Sequence, residues 1–296
     1  MAIYTSYEAV GEREDLSDLI TMISPVDTPM YSGFAKVSAK GTYHEWQTDE
    51  LAAAAANAQV EGADYTFPTL SATSRLGNYT QIFNKPFQVS NTLDVVSKAG
   101  RDKEYAYQME KKMKELARDV EYALVNNASA VSGTSGAARQ LKGVLAWITT
   151  NVETGSGSGT EALTESMFND ALETISAAGG NPDTVYANGF QKRQISGFTA
   201  SNTKNIDASA NKIINRVDVY ESDFGILEVI YDRAMATDQV AILEKDKWAI
   251  ASLRPVSHHE VPSIGDSKRG VIEGELTLVA KNEKASGKIT QLTTSA

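Results

Sequence analysis

Histidine is the side chain best placed to move protons near neutral pH, and it occurs three times, at His44, His258 and His259. His258 and His259 are adjacent, so in a strand they face opposite sides and cannot chelate one metal together. His258 and Glu260 could share a face, but two ligands do not make a site, and a surface pair is the simpler reading. Serines are many, yet no G-x-S-x-G elbow is present. A serine–histidine–acid triad stays open on sequence alone, because its members can come from anywhere in a chain. The cysteine count of 0 excludes disulfides, thiolate catalysis and cysteine-ligated metal. The 38 acidic residues include pairs such as Asp49–Glu50 and Glu12–Glu14, which read as solvated faces or helix-start charges. The glycine-rich run from Gly155 to Gly159 has no Gly-Lys-Ser/Thr after it. Phosphate and magnesium contacts therefore lack ligands, and the run reads as a flexible connection. No catalytic, metal-binding or cofactor-binding residue is nominated.

Charge narrows the partners. With 28 basic and 38 acidic residues the net charge is −10, and the basic clusters are only Lys111–Lys112 and Lys268–Arg269. Strong non-specific affinity for nucleic acid needs clustered cations that neutralise phosphates, so contact with nucleic acid is expected to be weak or indirect. Tyr and Trp are not interleaved with Lys and Arg as single-strand binding requires. No stretch is apolar enough to span a bilayer. The opening residues MAIYTSYEAVGERED lack a charged-then-apolar signal pattern. Synthesis in the cytosol is the expectation, which makes the glycosylation-type triplets at Asn78 and Asn127 coincidental.

The elements that would have to position any chemistry are unusual in order. Residues 1–41 read as an arm with one short helix. Leu16, Leu19, Ile20 and Ile23 form a helical stripe over Glu12 to Met22, which Pro25 and Pro29 stop. That helix either packs on the body or grips a neighbour. Residues 42–50 alternate like a strand, with Tyr43, Glu45 and Gln47 on one side and His44, Trp46 and Thr48 on the other. The alanine-rich Leu51 to Asn57 could form a single helical turn, and residues 58–73 read as a loop tip. Residues 74–90 return as a second extended run, in which Pro86 demands an edge or a bulge. A two-stranded arm is marginal alone in water, so its cover is expected on another subunit. Exposed edges invite pairing with other chains.

Beyond the arm lies the longest helix, Lys103 to about Asn127, with Asp102 as N-cap. Tyr105, Met109, Met113, Leu116, Val120 and Leu124 recur at spacings of 4, 4, 3, 4 and 4, one continuous face. Lys111, Lys112, Lys114, Glu115, Arg118 and Glu121 fall largely off it, and Glu110–Lys114 is a favourable pair. At about 36 Å this stripe needs a sheet or a long partner beneath it. Residues 128–160 are small and flexible around an apolar run from Leu141 to Ile148. Residues 161–210 read as helix–strand–helix: Thr164 caps the first helix, Leu163 and Phe168 staple it, and Gly179–Gly180 and Pro182 end it. The strand is Asp183 to Ala187, and the second helix runs from Gly189 to Phe198. Strands follow at Ile213–Ile214, Val217–Tyr220, Ile226–Tyr231, Val240–Leu243, Trp248–Leu253 and Val271–Lys281. The last puts Ile272, Gly274, Leu276, Leu278 and Ala280 on one side and Glu273, Glu275, Thr277 and Lys281 on the other, a half-buried antiparallel strand. No βα repeat is sustained, so the class is α+β.

Several stretches carry a resemblance. The chain has Gly11-Glu12-Arg13-Glu14-Asp15-Leu16-Ser17-Asp18-Leu19-Ile20, then Pro25 and Thr28-Pro29. It also has Glu45-Trp46-Gln47-Thr48-Asp49-Glu50-Leu51, Glu61-Gly62-Ala63-Asp64 and Asn78-Tyr79-Thr80-Gln81-Ile82. Later come Val219-Tyr220-Glu221-Ser222-Asp223-Phe224-Gly225, Leu253-Arg254-Pro255, Gly265-Asp266, Glu275-Leu276-Thr277-Leu278 and Asn282-Glu283. Running in this order along nearly the whole chain, they resemble tailed-bacteriophage major capsid proteins of the HK-97-type fold.

The resemblance implies an N-terminal arm (1–41), an extended E-loop (42–90) and a P-domain (91–149) with its spine helix at 103–127. It further implies an A-domain (150–220) and late strands (221–296) completing both. It implies a homo-oligomer of hexamers and pentamers tiling an icosahedral head around double-stranded DNA, with portal, scaffolding and decoration proteins as partners, no membrane and no cofactor. Some relatives weld subunits through a Lys–Asn isopeptide. That needs a lysine on the E-loop, and none lies between Leu51 and Ser74, with Lys85 near the base. No cross-link is therefore expected. The absence of a long helical prosegment implies that scaffolding lies in another protein. The rivals are an encapsulin-like compartment, a soluble hydrolase or lyase, and an adhesin or tail component.

Overall fold

The computed structural model describes residues 27–52, 54–62, 64, 67–70, 72–97, 103–155, 161–198 and 219–294. The expected helix Glu12–Met22, the Asp102 cap and the strand at Ile213–Ile214 lie outside these residues.

Two sheets organise the body. In the first, β1 (Ala35–Ser38), β10 (Trp248–Val261), β11 (Ser267–Ala280) and β4 (Gln81–Ser90) lie in that order. β1 pairs in parallel with β10, and the other pairs are antiparallel. β10 and β11 form a long hairpin whose register slips between Ser252 and Ser257, a bulge of the kind that twists a ribbon. β4 is the outer strand, with Pro86 opposite Val271, so the missing N–H of proline costs no ladder bond on its free side.

The long helix α3 (Glu104–Asn126) packs on β4 and β11. Its N-cap is Lys103, without a side-chain cap. The predicted stripe is buried only in its second half. Leu116, Val120 and Leu124 are in the core, while Tyr105 and Met109 are partly buried and Met113 is 47% exposed. Glu121, placed off the stripe by the sequence, is buried for a polar reason given below. Ahead of α3, Pro29 starts a helix of its own. The turn α1 (Pro29–Gly33) has proline in its first turn, where a missing N–H is harmless. It delivers Phe34 onto Trp248, ring centroids 6.3 Å apart.

The second sheet runs β5 (Val152–Thr154), β12 (Gly287–Thr290), β9 (Val240–Leu243), β6 (Thr184–Ala187), β8 (Gly225–Tyr231) and β7 (Val219–Ser222). α5 (Glu165–Ala177) packs on it with the predicted cap: the Thr164 hydroxyl accepts from the Met167 N–H, and Leu163 and Phe168 are both buried. α6 (Gly189–Phe198) follows β6 directly. β6 and β9 serve two cores at once. Tyr186, Ala241 and Leu243 point into the core beneath α3, whereas Val185, Ala187, Val240 and Ile242 point into the core beneath α5. Period-two alternation lets one strand wall both.

Three other expectations change. The extended run 74–90 is not one strand of an arm. It breaks at the buried Thr80 into β3 (Ser74–Tyr79), paired with β2 (Tyr43–Thr48), and β4 of the body sheet. Leu51–Asn57 has no helical turn among its described residues: so short an uncapped run cannot offset the cost of nucleation. β11 is half-buried only at its start. From Gly274 onward both faces are covered, including Glu275 and Thr277.

Candidate functional site

β2 and β3 form a hairpin that leaves the body, and the chain treats its two ends differently. At the root, Trp46 meets Trp147 of the short helix α4 (Val144–Trp147), centroids 5.5 Å apart. Asn78 is fully buried. It donates to the carbonyls of Leu278 (2.9 Å) and Lys142 (3.1 Å) and accepts from the Lys142 N–H (2.9 Å). Thr80 donates its hydroxyl to Glu275 at 2.6 Å. Glu275 is buried and held by two guanidinium groups, Arg139 at 2.6 Å and Arg254 at 3.1 Å. Three separate segments thus converge on one carboxylate. Above them Tyr43 packs on Tyr79 (4.6 Å) and lies across Gly77. A Cβ at Gly77 would stand 2.7 Å from the Tyr43 ring, so no side chain fits there.

The tip has none of this. Leu51, Val60, Phe67 and Leu70 are 99%, 80%, 91% and 89% exposed. Large apolar side chains clustered on a projecting loop mark an interaction surface. Burying each would contribute roughly 1.5–3 kcal/mol.

The histidines assemble no catalytic site. His44 lies on the hairpin near Trp46, centroids 6.2 Å apart. His258 bonds the Tyr105 hydroxyl at 2.9 Å and packs against Phe87 around Gly270, where a Cβ would lie 2.5 Å from that hydroxyl. His259 meets Ser257 at 2.9 Å and Glu273 at 4.0 Å, superficially a triad. Both contacts use Nε2, whereas a triad needs serine and acid on opposite ring nitrogens. Glu273 is also engaged by Arg254 at 3.1 Å, and His259 is exposed. Among the described residues no cluster could hold a metal ion. The basic pairs are partly spent: Lys268 binds Asp94 at 2.9 Å and Lys112 binds Glu115 at 2.7 Å. Lys268 holds the Asp94 carboxyl below its usual range, first by hydrogen bonding. The expected Glu110–Lys114 pair forms at 2.5 Å.

A second buried carboxyl, Glu121, binds the first turn of α1: its oxygens accept from the Met30 N–H (2.8 Å) and the Tyr31 N–H (2.7 Å). Burial, and then the neighbouring Asp232, push it up to about 7, against the pull of those two N–H groups and of Lys36. Asp232 is fully buried and raised by burial too. Sequence reasoning missed both carboxyl sites. Glu121 left one trace, a lone charge between Val120 and Ala123-Leu124-Val125. Glu275 left none, because Arg139 lies far away in sequence.

Comparison with known proteins adds an independent line. The SU10 major capsid protein family model matches residues 3–293. A major capsid protein of Escherichia phage Phieco32 is 27% identical, covering 96% of each chain. Among solved structures, the cyanophage A-1(L) capsid asymmetric unit superposes with a TM-score of 0.74 at 14% identity, over 98% of both chains. The holo-SrpI encapsulin complex from Synechococcus elongatus PCC 7942 follows with a TM-score of 0.64 at 9% identity, over 100% of this chain and 98% of that one. These two likenesses are of fold.

Proposed function

This chain belongs to the SU10 major capsid protein family, and on that premise we propose that it closes its shell by lending the hairpin tip to an adjoining copy of itself. It is a phage major capsid protein with the HK-97-type fold. The observation that carries the proposal is the contrast between a root fixed by buried polar contacts and a tip bearing four bare apolar side chains.

In this reading residues 1–41 are the N-terminal arm and the hairpin is the E-loop. α3 is the spine of the P-domain, with the first sheet under it, and the six-stranded sheet with α5 and α6 is the A-domain. Hexamers and pentamers tile an icosahedral head around double-stranded DNA, made in the host cytoplasm and residing in the virion. The net charge of −10 and the engaged basic pairs favour weak contact with DNA. Portal, scaffolding and decoration proteins are the further partners, and the chain carries out no catalysis. Subunits are not welded: Lys85, near the base of the E-loop, is held by Asp119 at 2.5 Å. Denaturing gels of mature particles should show subunit-sized bands, and a ladder of covalent oligomers would overturn this.

Negative-stain microscopy of the expressed chain tests the main claim. Wild type should form closed shells, and the double variant Phe67→Ser, Leu70→Ser should stay folded but unassembled. Shells of normal yield from the variant would sink the proposal. The encapsulin likeness favours a second reading, a compartment for protein cargo, and the contents of purified particles distinguish the two: DNA for a phage head, enzyme for a compartment.

A further inference from the structure

Glu121 on α3 and Asp232 in the turn after β8 are two carboxyls buried side by side. Among the described residues neither forms an ion pair. Each also anchors backbone: Glu121 takes the Met30 and Tyr31 N–H groups, and Asp232 takes the Ala234 N–H at 2.8 Å. The pair therefore ties three segments together, namely the stretch leading out of the N-terminal residues, the long helix, and the turn that leaves the six-stranded sheet.

Several of the other charged groups facing this pair are engaged elsewhere. A cleft of ≈ 430 Å³ opens beside Glu121. In it, Lys85 of β4 binds Asp119, and Arg233 reaches Asp27 at 4.0 Å. Arg118 and Glu115 line the same cleft, Glu115 being paired with Lys112. From β1, Lys36 caps the Tyr31 carbonyl and sits 4.0 Å over the Tyr31 ring. From β6, Tyr186 approaches with its hydroxyl buried and unpartnered, its titration pushed far to the alkaline side by burial and by the surrounding carboxylates, Glu121 first. Behind it Lys245 is bridged to Glu228 at 3.5 Å. Among the described residues no cation is bonded to either carboxyl, Lys36 acting on Glu121 only through space, and like charges so placed favour holding a proton between them.

We propose that Glu121 and Asp232 form a proton-loaded latch that fastens the root of the N-terminal arm to the long helix, tightest in mild acid and looser as pH rises to neutrality. The sign follows from linkage. When the latch opens, Glu121 returns from about 7 to its ordinary 4.5, so the closed form binds the proton more tightly than the open one. Closing is then favoured below that ordinary value, loses ground between the two values, and changes no further above the higher one. Asp232, also raised, acts in the same direction.

The test is hydrogen exchange on the full chain from pH 5 to 8, following the Met30 and Tyr31 amides after correction for intrinsic exchange. A β10 peptide from residues 248–256 serves as a fold reference. Wild type should lose protection at these amides by about tenfold per pH unit up to neutrality and then level off, with the reference peptide unchanged. Glu121→Gln, which removes the charge and keeps one acceptor oxygen for these two N–H groups, should flatten the profile. Should that variant fail to fold, Asp232→Asn should move the step to the acid end of the range. A flat wild-type profile, or an unmoved step in a folded variant, overturns the proposal.

Discussion

The hairpin root and the hairpin tip are continuous strands of one arm, yet they are built on opposite rules. The root is held by directional polar contacts: Asn78, Thr80 and Glu275 each bond a specific partner on another segment. The tip is apolar and unanswered, its side chains aimed at water. Directional hydrogen bonds fix the angle at which the arm leaves the body, and non-directional burial is left for a surface elsewhere. An arm with both ends apolar could fold back on its own sheet. An arm with both ends polar would have little to gain from a neighbour.

The comparison can be broken at either end. The largest effect is expected at the root, where Glu275→Ala leaves Arg139 without its carboxylate and Arg254 with Glu273 alone. Removing one partner of a buried ion cluster costs about 3–5 kcal/mol, readable as a lowered midpoint in denaturant unfolding. Phe67→Ser should leave that midpoint within about 0.5 kcal/mol while weakening assembly by roughly 1.5–3 kcal/mol per contact, visible as a raised critical concentration for shells. If Phe67→Ser unfolds the chain instead, the division between root and tip is wrong. Asn78→Ala should cost about 1–3 kcal/mol by stranding two buried carbonyls, with particles that are irregular rather than absent. The smallest effect belongs to Lys114→Ala, which removes an exposed helix pair worth about 0.3–0.5 kcal/mol and should leave both stability and assembly nearly unchanged.

What could be read from the sequence was local. Thr164 with its staple, the span Gly189–Phe198 and the strand before it each carry their signal within a few residues, and the structure contains them as expected. The strand-like ends of the arm were legible for the same reason. The break at Thr80 was not, because it depends on Glu275, 195 residues away. Met113 fits the helical period of its neighbours yet is exposed, and period alone does not show which positions of the stripe are covered. Glu121 and Glu275 are polar residues inside apolar surroundings whose partners lie 91 and 136 residues away. Pairings at such separations leave no periodic mark.

The two strands whose side chains alternate between the cores have a mechanical meaning. A shell wall is loaded by what it encloses, and β6 and β9 are a party wall with no slack on either side. Push on one room and the plaster cracks in the other: the subunit should carry tension as one stiff plate, yielding in a single event rather than half by half.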